Sequence, residues 1–599
     1  MSAKFAIGID LGTTNSVLAC LALEDVRPAV RVVGVPQLVA AGTVEPRSML
    51  PSFLYLASPH ETGGGAMDLP WASQRDFAVG EFARRQGAEV PDRTVGAAKS
   101  WLAHSRVDRH QPILPWNAPA EVPKVSPVTA SQRYLEHLVA AWDAAFPDHP
   151  AWEQMVVLTV PASFDASARE LTREAALAAG LPDDLVLLEE PQAAVYSWLA
   201  EMGDRWRRQL TLGDKLLVCD VGGGTTDLTL VGVAQEKGDL VLERIAVGNH
   251  LLIGGDNMDL ALAHHVAGMF EQKGVNLDPW QSVALWHSCR AAKETLLTPG
   301  GPKKHPVAVL GRGSRLIGKT VSIEVDRQGV AELLVDGFFP RSSVEDRPGR
   351  RGVSGFREIG LPFESDTAIT RHLAAFLGSH GEEGGPVRPT HVLFNGGVFK
   401  AQLLRERLLE VLGSWFPATA PPRPLTAAPD LDHAVARGAA YYGWSKRRGG
   451  VRIRGGTARA YYVGIETAGL AVPGAPRPLR ALCVAPIGME EGTETDVPSD
   501  EIGLVVGQPA QFRFYSSPVR KQDRPGDLVD RWSEDELAET DSMETTLPAD
   551  EAIEEEYVPV RFHSKVTELG MLELWCVGTR SPGRWKLEFS VRPEAADPA

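Results

Sequence analysis

Two short turns, about 210 residues apart, constrain this chain more than any other feature of it. In IGIDLGTTNS (Ile7–Ser16) an apolar strand delivers Asp10 to a turn containing Gly12, Thr13 and Thr14. In VCDVGGGTTDLTL (Val218–Leu230) the plan repeats: a strand, Asp220, the run Gly222, Gly223 and Gly224, then Thr225 and Asp227. Glycine lets a backbone approach a ligand closely, and successive N–H groups in such a turn hold anionic oxygens. A carboxylate at the strand end is suited to a hydrated divalent cation. Taken singly, the first turn reads equally as a tight hairpin. Three consecutive glycines are entropically costly in a mere connector. Two Asp-led turns in matching strand–turn–strand settings predict two related lobes, each presenting one loop to a shared polyphosphate and its cation.

Three further segments bear on the same site. In LLEEPQAA (Leu187–Ala194), Glu190 stands before Pro191 at a strand-to-helix boundary, which also reads as ordinary helix entry. In VLFNGGVFKAQLLRERL (Val392–Leu408), Gly396 and Gly397 follow a strand and open a helix, where a base and ribose can lie against backbone; a close strand–helix turn fits as well. In LDHAVARGAAYYGW (Leu431–Trp444), the small residues permit close helix–helix approach, either as plain packing or as a hinge between lobes. Gly313–Thr320 matches the pattern of a P-loop, but that loop needs a helix directly after it. The alternating run Val321–Val325 follows instead, so the segment is expected to be the turn of a β-hairpin.

From Lys4 to Trp444 apolar runs alternate with helical periodicity, as in an α/β fold. Strands are expected at Phe5–Ile9, Met155–Val160, Lys215–Cys219, Thr226–Val231 and His391–Phe394. Helices are expected at Ala130–Phe146, Ala166–Ala179, Met258–Met269, Ala284–Leu297, Ala368–Leu377 and Ala401–Leu412. Residues 445–460 are basic and glycine-rich, as a linker would be. Residues 461–599 hold short alternating runs typical of antiparallel strands. Within them Asp527–Glu556 is strongly acidic, with Arg531 its one basic residue, and a solvated, mobile insertion is expected over about 520–556. The net charge of −16 argues against nucleic acid or an anionic membrane as partner. No run approaches ~18 uninterrupted apolar residues, so no membrane-spanning helix is expected. Cys20, Cys219, Cys289, Cys483 and Cys576 are scattered and form neither a disulfide framework nor a zinc motif. With MSAKFAIGIDLGTTNS lacking a basic leader, the expected compartment is the cytoplasm.

IGIDLGTTNS, TVPASFDASARELTREAALAAGL followed by EEPQAA, VGNHLLIGGDNMD, SMLPSFLYL and VGEFARRQGAEVPDRTVGAAKSWL together resemble the DnaK-type, seventy-kilodalton heat-shock chaperones. The resemblance covers most of residues 4–444. It implies an α/β fold: a two-lobed, actin-like (ribonuclease-H-like) ATPase region over residues 1–444, then a β-rich C-terminal domain. It implies ATP/ADP and Mg2+ as cofactors, with Asp10, Asp220 and Glu190 placing the cation through waters. Thr13, Thr14, Gly222, Gly223, Gly224 and Thr225 would hold phosphates, and Asp227 would help place water or metal. Lys99, in AAKSWL, matches the lysine that orients the attacking water. Gly255, Lys293, Gly396, Gly397, Lys400 and Asp432 would surround the adenosine. Pro161 and Arg169 match the relay to the substrate domain.

The chain departs from that pattern in places. Arg290 and Glu294 stand where an acidic and a basic residue are usual, and their spacing allows a salt bridge of reversed polarity. Leu297 replaces a serine, and Lys400 an arginine whose flat guanidinium stacks on adenine. VRIRGGTAR replaces an apolar docking linker, and no long helical segment follows the strands, so a substrate domain without a helical lid is expected. The expected function is an ATP-dependent chaperone acting on unfolded or specific client polypeptides, with a co-chaperone as a further partner. A slow nucleotide-sensing scaffold for one partner is the alternative, and a small-molecule kinase is a third.

Overall fold

The computed structural model describes residues 3–589, apart from 27, 63, 105, 310–319, 350–360, 362, 382–384, 418–419, 426–429, 467–478, 506, 534–535, 541, 547–556, 568–570 and 581–582. Two sheets with the same plan organise the first three quarters of the chain. In the first, the strand Phe5–Asp10 runs antiparallel to Asn15–Ala22 on one side and parallel to Met155–Val160 on the other. Val186–Glu189 extends that sheet beyond Met155–Val160, in parallel. In the second, Lys215–Val221 runs antiparallel to Thr226–Glu236 and parallel to His391–Asn395. Each central strand is buried almost end to end, as strands are when both faces of a sheet are covered. The two glycine turns are therefore equivalent hairpin tips. Asp10 lies opposite Val17 and Thr159; Asp220 lies opposite Asp227 and Asn395.

The helices Glu190–Met202 and Ala434–Arg448 join the lobes. Their approach depends on small residues. A Cβ at Gly438 would fall 1.7 Å from the Ala193 carbonyl oxygen, and one at Gly8 would fall 2.2 Å from that of Ala436. The expected elements are present, with ends shifted by a few residues: the helix expected at Met258–Met269 spans Gly255–Gln272, and that at Ala284–Leu297 spans Pro279–Leu297. Both carry cap signals upstream of the periodic run; Asp278 and Gln281 form a reciprocal capping box. Lys304–Val309 and Val321–Asp326 pair antiparallel, so a strand follows the P-loop-like sequence. Residues 310–319 of that sequence lie outside the described residues.

The expected linker is partly ordered secondary structure. Ser445–Arg448 completes the Ala434–Arg448 helix. Ile453–Arg454 then adds a parallel strand to the edge of the second sheet, beside Asp239–Val247. Ile453 is buried there, and its N–H donates to the Tyr196 hydroxyl at 2.9 Å. Ile453 between two arginines, with Val451 packed beside it, is enough to dock because the strand hydrogen bonds come from backbone, which sequence composition does not reveal.

Residues from Ala460 onward form two facing antiparallel sheets. Their common core includes Val463, Leu482, Phe514, Val560, Phe562 and Leu574, and Ala166 of the first lobe packs into it. The acidic stretch corrects the expectation of a mobile insertion. Leu528–Val529, Ala538–Glu539 and Met543–Thr546 are strands, and Val529, Leu537 and Met543 are buried. Apolar residues spaced among the carboxylates anchor it, while Asp527, Asp530, Glu536, Glu539 and Glu544 face water. Residues 547–556 lie outside the described residues. All five cysteines are buried free thiols. Among the described residues, no helix is long and apolar enough to cross a membrane.

Candidate functional site

The two hairpin tips meet across a cleft of about 410 Å³ between the lobes. They touch: a Cβ at Gly223 would fall 1.9 Å from Thr14 Oγ1, and one at Gly224 would fall 2.8 Å from Ser100 Oγ. Glycine is thus required by the opposite lobe. The first turn is fixed from behind by Ser52, whose hydroxyl donates to the Gly12 carbonyl at 2.7 Å. The second is fixed by the start of the Gly255–Gln272 helix, where the N–H groups of Gly255 and Asp256 donate to the carbonyls of Gly222 and Gly223 at 2.9 and 2.7 Å.

Asp10, Gly12, Thr13, Thr14, Gly222, Gly223 and Thr225 line one end of this cleft, together with Lys99, Glu190 and Asp220. Gly255, Lys293, Gly396, Gly397, Lys400 and Asp432 line its other end. Gly224 and Asp227 stand behind the wall, and Pro161 and Arg169 lie outside the cleft. Lys99 comes from the short helix Ala98–Leu102, entered through Ala97 in a left-handed conformation (φ 54°). That turn buries the side chain to 6 % exposure and aims its ammonium at the Glu190 carboxylate. Helical periodicity gives no sign of this burial.

The carboxylates lie close enough to perturb one another. Burial, then repulsion from Glu190, pushes Asp10 up to about 7. Burial, then Glu190, drives Asp220 well above the carboxylate range, although Asn395 donates to it at 2.7 Å. Burial raises Glu190 despite Lys99. Burial works to lower Lys99, but Glu190 and Asp10 hold it above its ordinary value. One ammonium against Asp10, Glu190 and Asp220 leaves the cluster short of positive charge, as a site for a hydrated divalent cation would be. Among the described residues no three His, Cys, Asp or Glu side chains converge on a point that would ligate a metal directly.

The perturbed acid gives a testable pH dependence. Between about pH 4 and 7 the folded protein holds a proton on Asp10 that the unfolded chain has released, so the contribution of Asp10 to stability falls as pH rises through that window. Asp10→Asn should raise the thermal midpoint of the nucleotide-free protein by a few degrees at pH 8 and change it little at pH 4. Scanning calorimetry at the two values checks this; an equal shift at both would remove the Asp10 titration.

At the other end of the cleft, Arg290 and Glu294 do not pair with each other. Arg290 reaches off its own helix to Asp256 at 2.5 Å and Asp259 at 2.8 Å. Lys293 shares Asp259 at 2.6 Å and donates to the Gly255 carbonyl at 2.9 Å. The expected Arg290–Glu294 bridge is replaced by this buried network, because Arg290 lies against the neighbouring helix while Glu294 is exposed. Lys400 pairs with Asp432 at 2.5 Å. Leu297, Val398, Leu404, Leu431 and Val435 add an apolar patch to this wall.

Outside the cleft, Arg169 donates to Glu189 at 2.9 Å. Glu189 also takes Arg244, which donates in turn to the Gly456 carbonyl just before the β-rich region. Burial works to raise Glu189, but Arg244 and then Arg169 hold it below the usual range. Adjacent carboxylates thus face opposite ways, Glu190 into the cleft and Glu189 toward the segment leading to the β-rich region. Pro161 caps the strand Met155–Val160, its carbonyl accepting from Phe164 N–H. Sequence reasoning missed Ser52, Asn395, Ser163 and His250, single polar residues whose partners are distant in the chain.

Two sheets of one plan, hairpin tips facing across an interlobe cleft, and a helix pair at its base define the actin-like, two-lobed ATPase class of fold. The family profile described as Hsp70 protein matches residues 69–336. Over that stretch the chain resembles the Hsp70 family, as a divergent relative. It is 29% identical over 289 residues to "Chaperone protein HscA" of Enterobacter sp. (strain 638), covering 46% of this chain and 40% of that protein. It is 31% identical over 343 residues to "Chaperone protein HscA homolog" of Bordetella pertussis, covering 55% and 47%. With "Chaperone protein HscA" of Cronobacter sakazakii it shares 28% identity over 450 residues, 73% of this chain and 57% of that protein. The matches span roughly two fifths to three fifths of these relatives.

Proposed function

We propose that this chain is an ATP-dependent chaperone that hydrolyses ATP slowly in the interlobe cleft and couples nucleotide state to polypeptide binding by its β-rich region. The observation that carries the reading is the pair of glycine turns in contact across the cleft, with Lys99, Glu190, Asp10 and Asp220 between them. Thr13, Thr14, Thr225 and the backbone of Gly222–Gly224 hold the phosphates. Mg2+, when bound, supplies the charge neutralisation that phosphoryl transfer needs. Asp10, Asp220 and Glu190 hold its waters. Lys99 orients the attacking water, and Asp227 supports that placement from behind. Lys293, Gly255, Gly396 and Gly397 hold the nucleoside, with Lys400 and Asp432 at its edge.

Coupling to the β-rich region runs through Arg169, Glu189 and Arg244 to the backbone at Gly456, with Pro161 setting the turn from which the Arg169 helix departs. A client polypeptide bound there would favour one arrangement of that contact, and nucleotide would favour the same or the other. A co-chaperone is a further partner of this reading, and the cytoplasm its expected compartment.

Steady-state ATPase assays with and without a panel of unfolded peptides test the reading. Broad stimulation by several-fold is expected. Stimulation by one partner alone would replace it with the scaffold reading, and absence of heat with Mg·ATP in calorimetry would end both. ADP release that depends on a sugar would select the kinase.

A further inference from the structure

Beneath the cleft, three polar side chains from separate parts of the chain meet in a buried chain of hydrogen bonds. Ser163 lies on the turn between the strand Met155–Val160 and the helix Ala166–Ala178 of the first lobe. Asp227 lies on the strand Thr226–Glu236 of the second lobe, opposite Asp220. The Ser163 hydroxyl donates to Asp227 Oδ1 at 2.5 Å, and the Ser163 N–H reaches the same oxygen at 3.3 Å. His250 Nδ1 stands 2.7 Å from the Ser163 oxygen.

The directions follow from the proton count. An ionised Asp227 only accepts, so the single Ser163 proton points to it. His250 must then donate from Nδ1, which leaves Nε2 unprotonated. His250 Nε2 is buried and has no hydrogen-bond partner among the described residues. The ring is held edge-on to Phe164, centroids 5.7 Å apart. His250 therefore fixes the Ser163 rotor, and Ser163 fixes one oxygen of Asp227 across the lobe boundary.

We propose that Ser163 and His250 are positioning residues for ATP hydrolysis, Ser163 bracing Asp227 from the opposite lobe and His250 holding Ser163 from Asp227's own, so that Asp227 faces Lys99 correctly only when the lobes meet. This rests on the ATPase reading above. Neither residue lines the cleft, so the brace acts on turnover and not on nucleotide affinity. Lys99 and Arg459 are cationic groups acting on Asp227, and Glu189, Glu190 and Asp220 acidic ones, so the orientation of this carboxylate bears on the charge felt by the water-orienting ammonium.

Single-turnover hydrolysis and calorimetric Mg·ATP affinity on the full chain test the proposal. Ser163→Ala should slow hydrolysis by about ten- to a hundred-fold, the range for losing a hydrogen bond to a charged group, with affinity within about two-fold. Ser163→Thr, which keeps the hydroxyl, should restore most of the rate. His250→Leu should also slow hydrolysis, and His250→Asn, which keeps a donor in the place of Nδ1, should recover it. Ser163→Ala with His250→Leu should be no slower than Ser163→Ala alone, because His250 acts through Ser163. Should Ser163→Ala fail to fold, the His250→Leu and His250→Asn pair carries the comparison. Parent-like hydrolysis in Ser163→Ala, or a fall matched by an equal loss of affinity, overturns the proposal while leaving the ATPase reading intact. A parent chain that hydrolyses no ATP overturns both.

Discussion

Lys99→Ala is expected to keep Mg·ATP binding and to lose turnover by roughly a hundred- to a thousand-fold, the range for removing one preorganised charged donor from an enclosed site. The ammonium is buried and surrounded by acidic groups, so no solvent cation replaces it in the same geometry. Deleting one member of a buried ion pair usually costs stability, because the other charge is stranded. Here the cost is limited, since burial already raises Glu190 and the carboxyl relieves itself by taking a proton. The two glycine turns are left in place, because Thr13, Thr14 and Gly222–Gly224 hold their positions through Ser52 and the Gly255–Gln272 helix. Single-turnover assays beside calorimetric affinity separate the two effects. Equal single-turnover rates in variant and parent would take Lys99 out of the chemistry; a matching collapse of affinity would make it a binding residue instead.

Much of this site was legible because its backbone parts are written in local sequence. A strand ending in Asp followed by glycines has few uses, and two copies fixed the expectation of facing lobes. The side chains that complete the site leave no such trace. Ser163, His250 and Asn395 acquire meaning only from partners 64, 87 and 175 residues away. Lys99 looked like a surface lysine without the family pattern, because its burial comes from one left-handed residue at Ala97. The acidic stretch misled in the opposite direction. Composition averaged over Asp527–Glu556 hides the buried Val529, Leu537 and Met543, and strand pairing depends on individual positions. The linker misled likewise, since Ile453, with Val451 packed beside it, docks where VRIRGGTAR shows no obvious apolar segment.

Gly438→Val should cost at least about 3 kcal/mol of stability, a large value for one surface-distant residue, and the mechanism is overpacking. A Cβ at this position would sit 1.7 Å from the Ala193 carbonyl oxygen and 2.9 Å from Ser197 N. Both are backbone of the facing Glu190–Met202 helix, so no side-chain rotamer relieves the clash and the helices must move apart. That separation propagates, because the same Ala434–Arg448 helix lies against Gly8 of the central strand Phe5–Asp10. Glu190 begins one helix of the pair and Asp10 ends that strand, so a shift at Gly438 displaces two of the cleft carboxylates together. Gly397→Ala is the matched control: nothing lies within 4 Å of a Cβ there, and it should change stability little. Denaturant midpoints for both variants, with Mg·ATP affinity measured on whatever remains folded, check the argument. A Gly438→Val chain as stable as Gly397→Ala would mean that the two helices do not pack backbone to backbone. A destabilised chain with unchanged nucleotide affinity would mean that the cleft carboxylates are positioned independently of the helix pair.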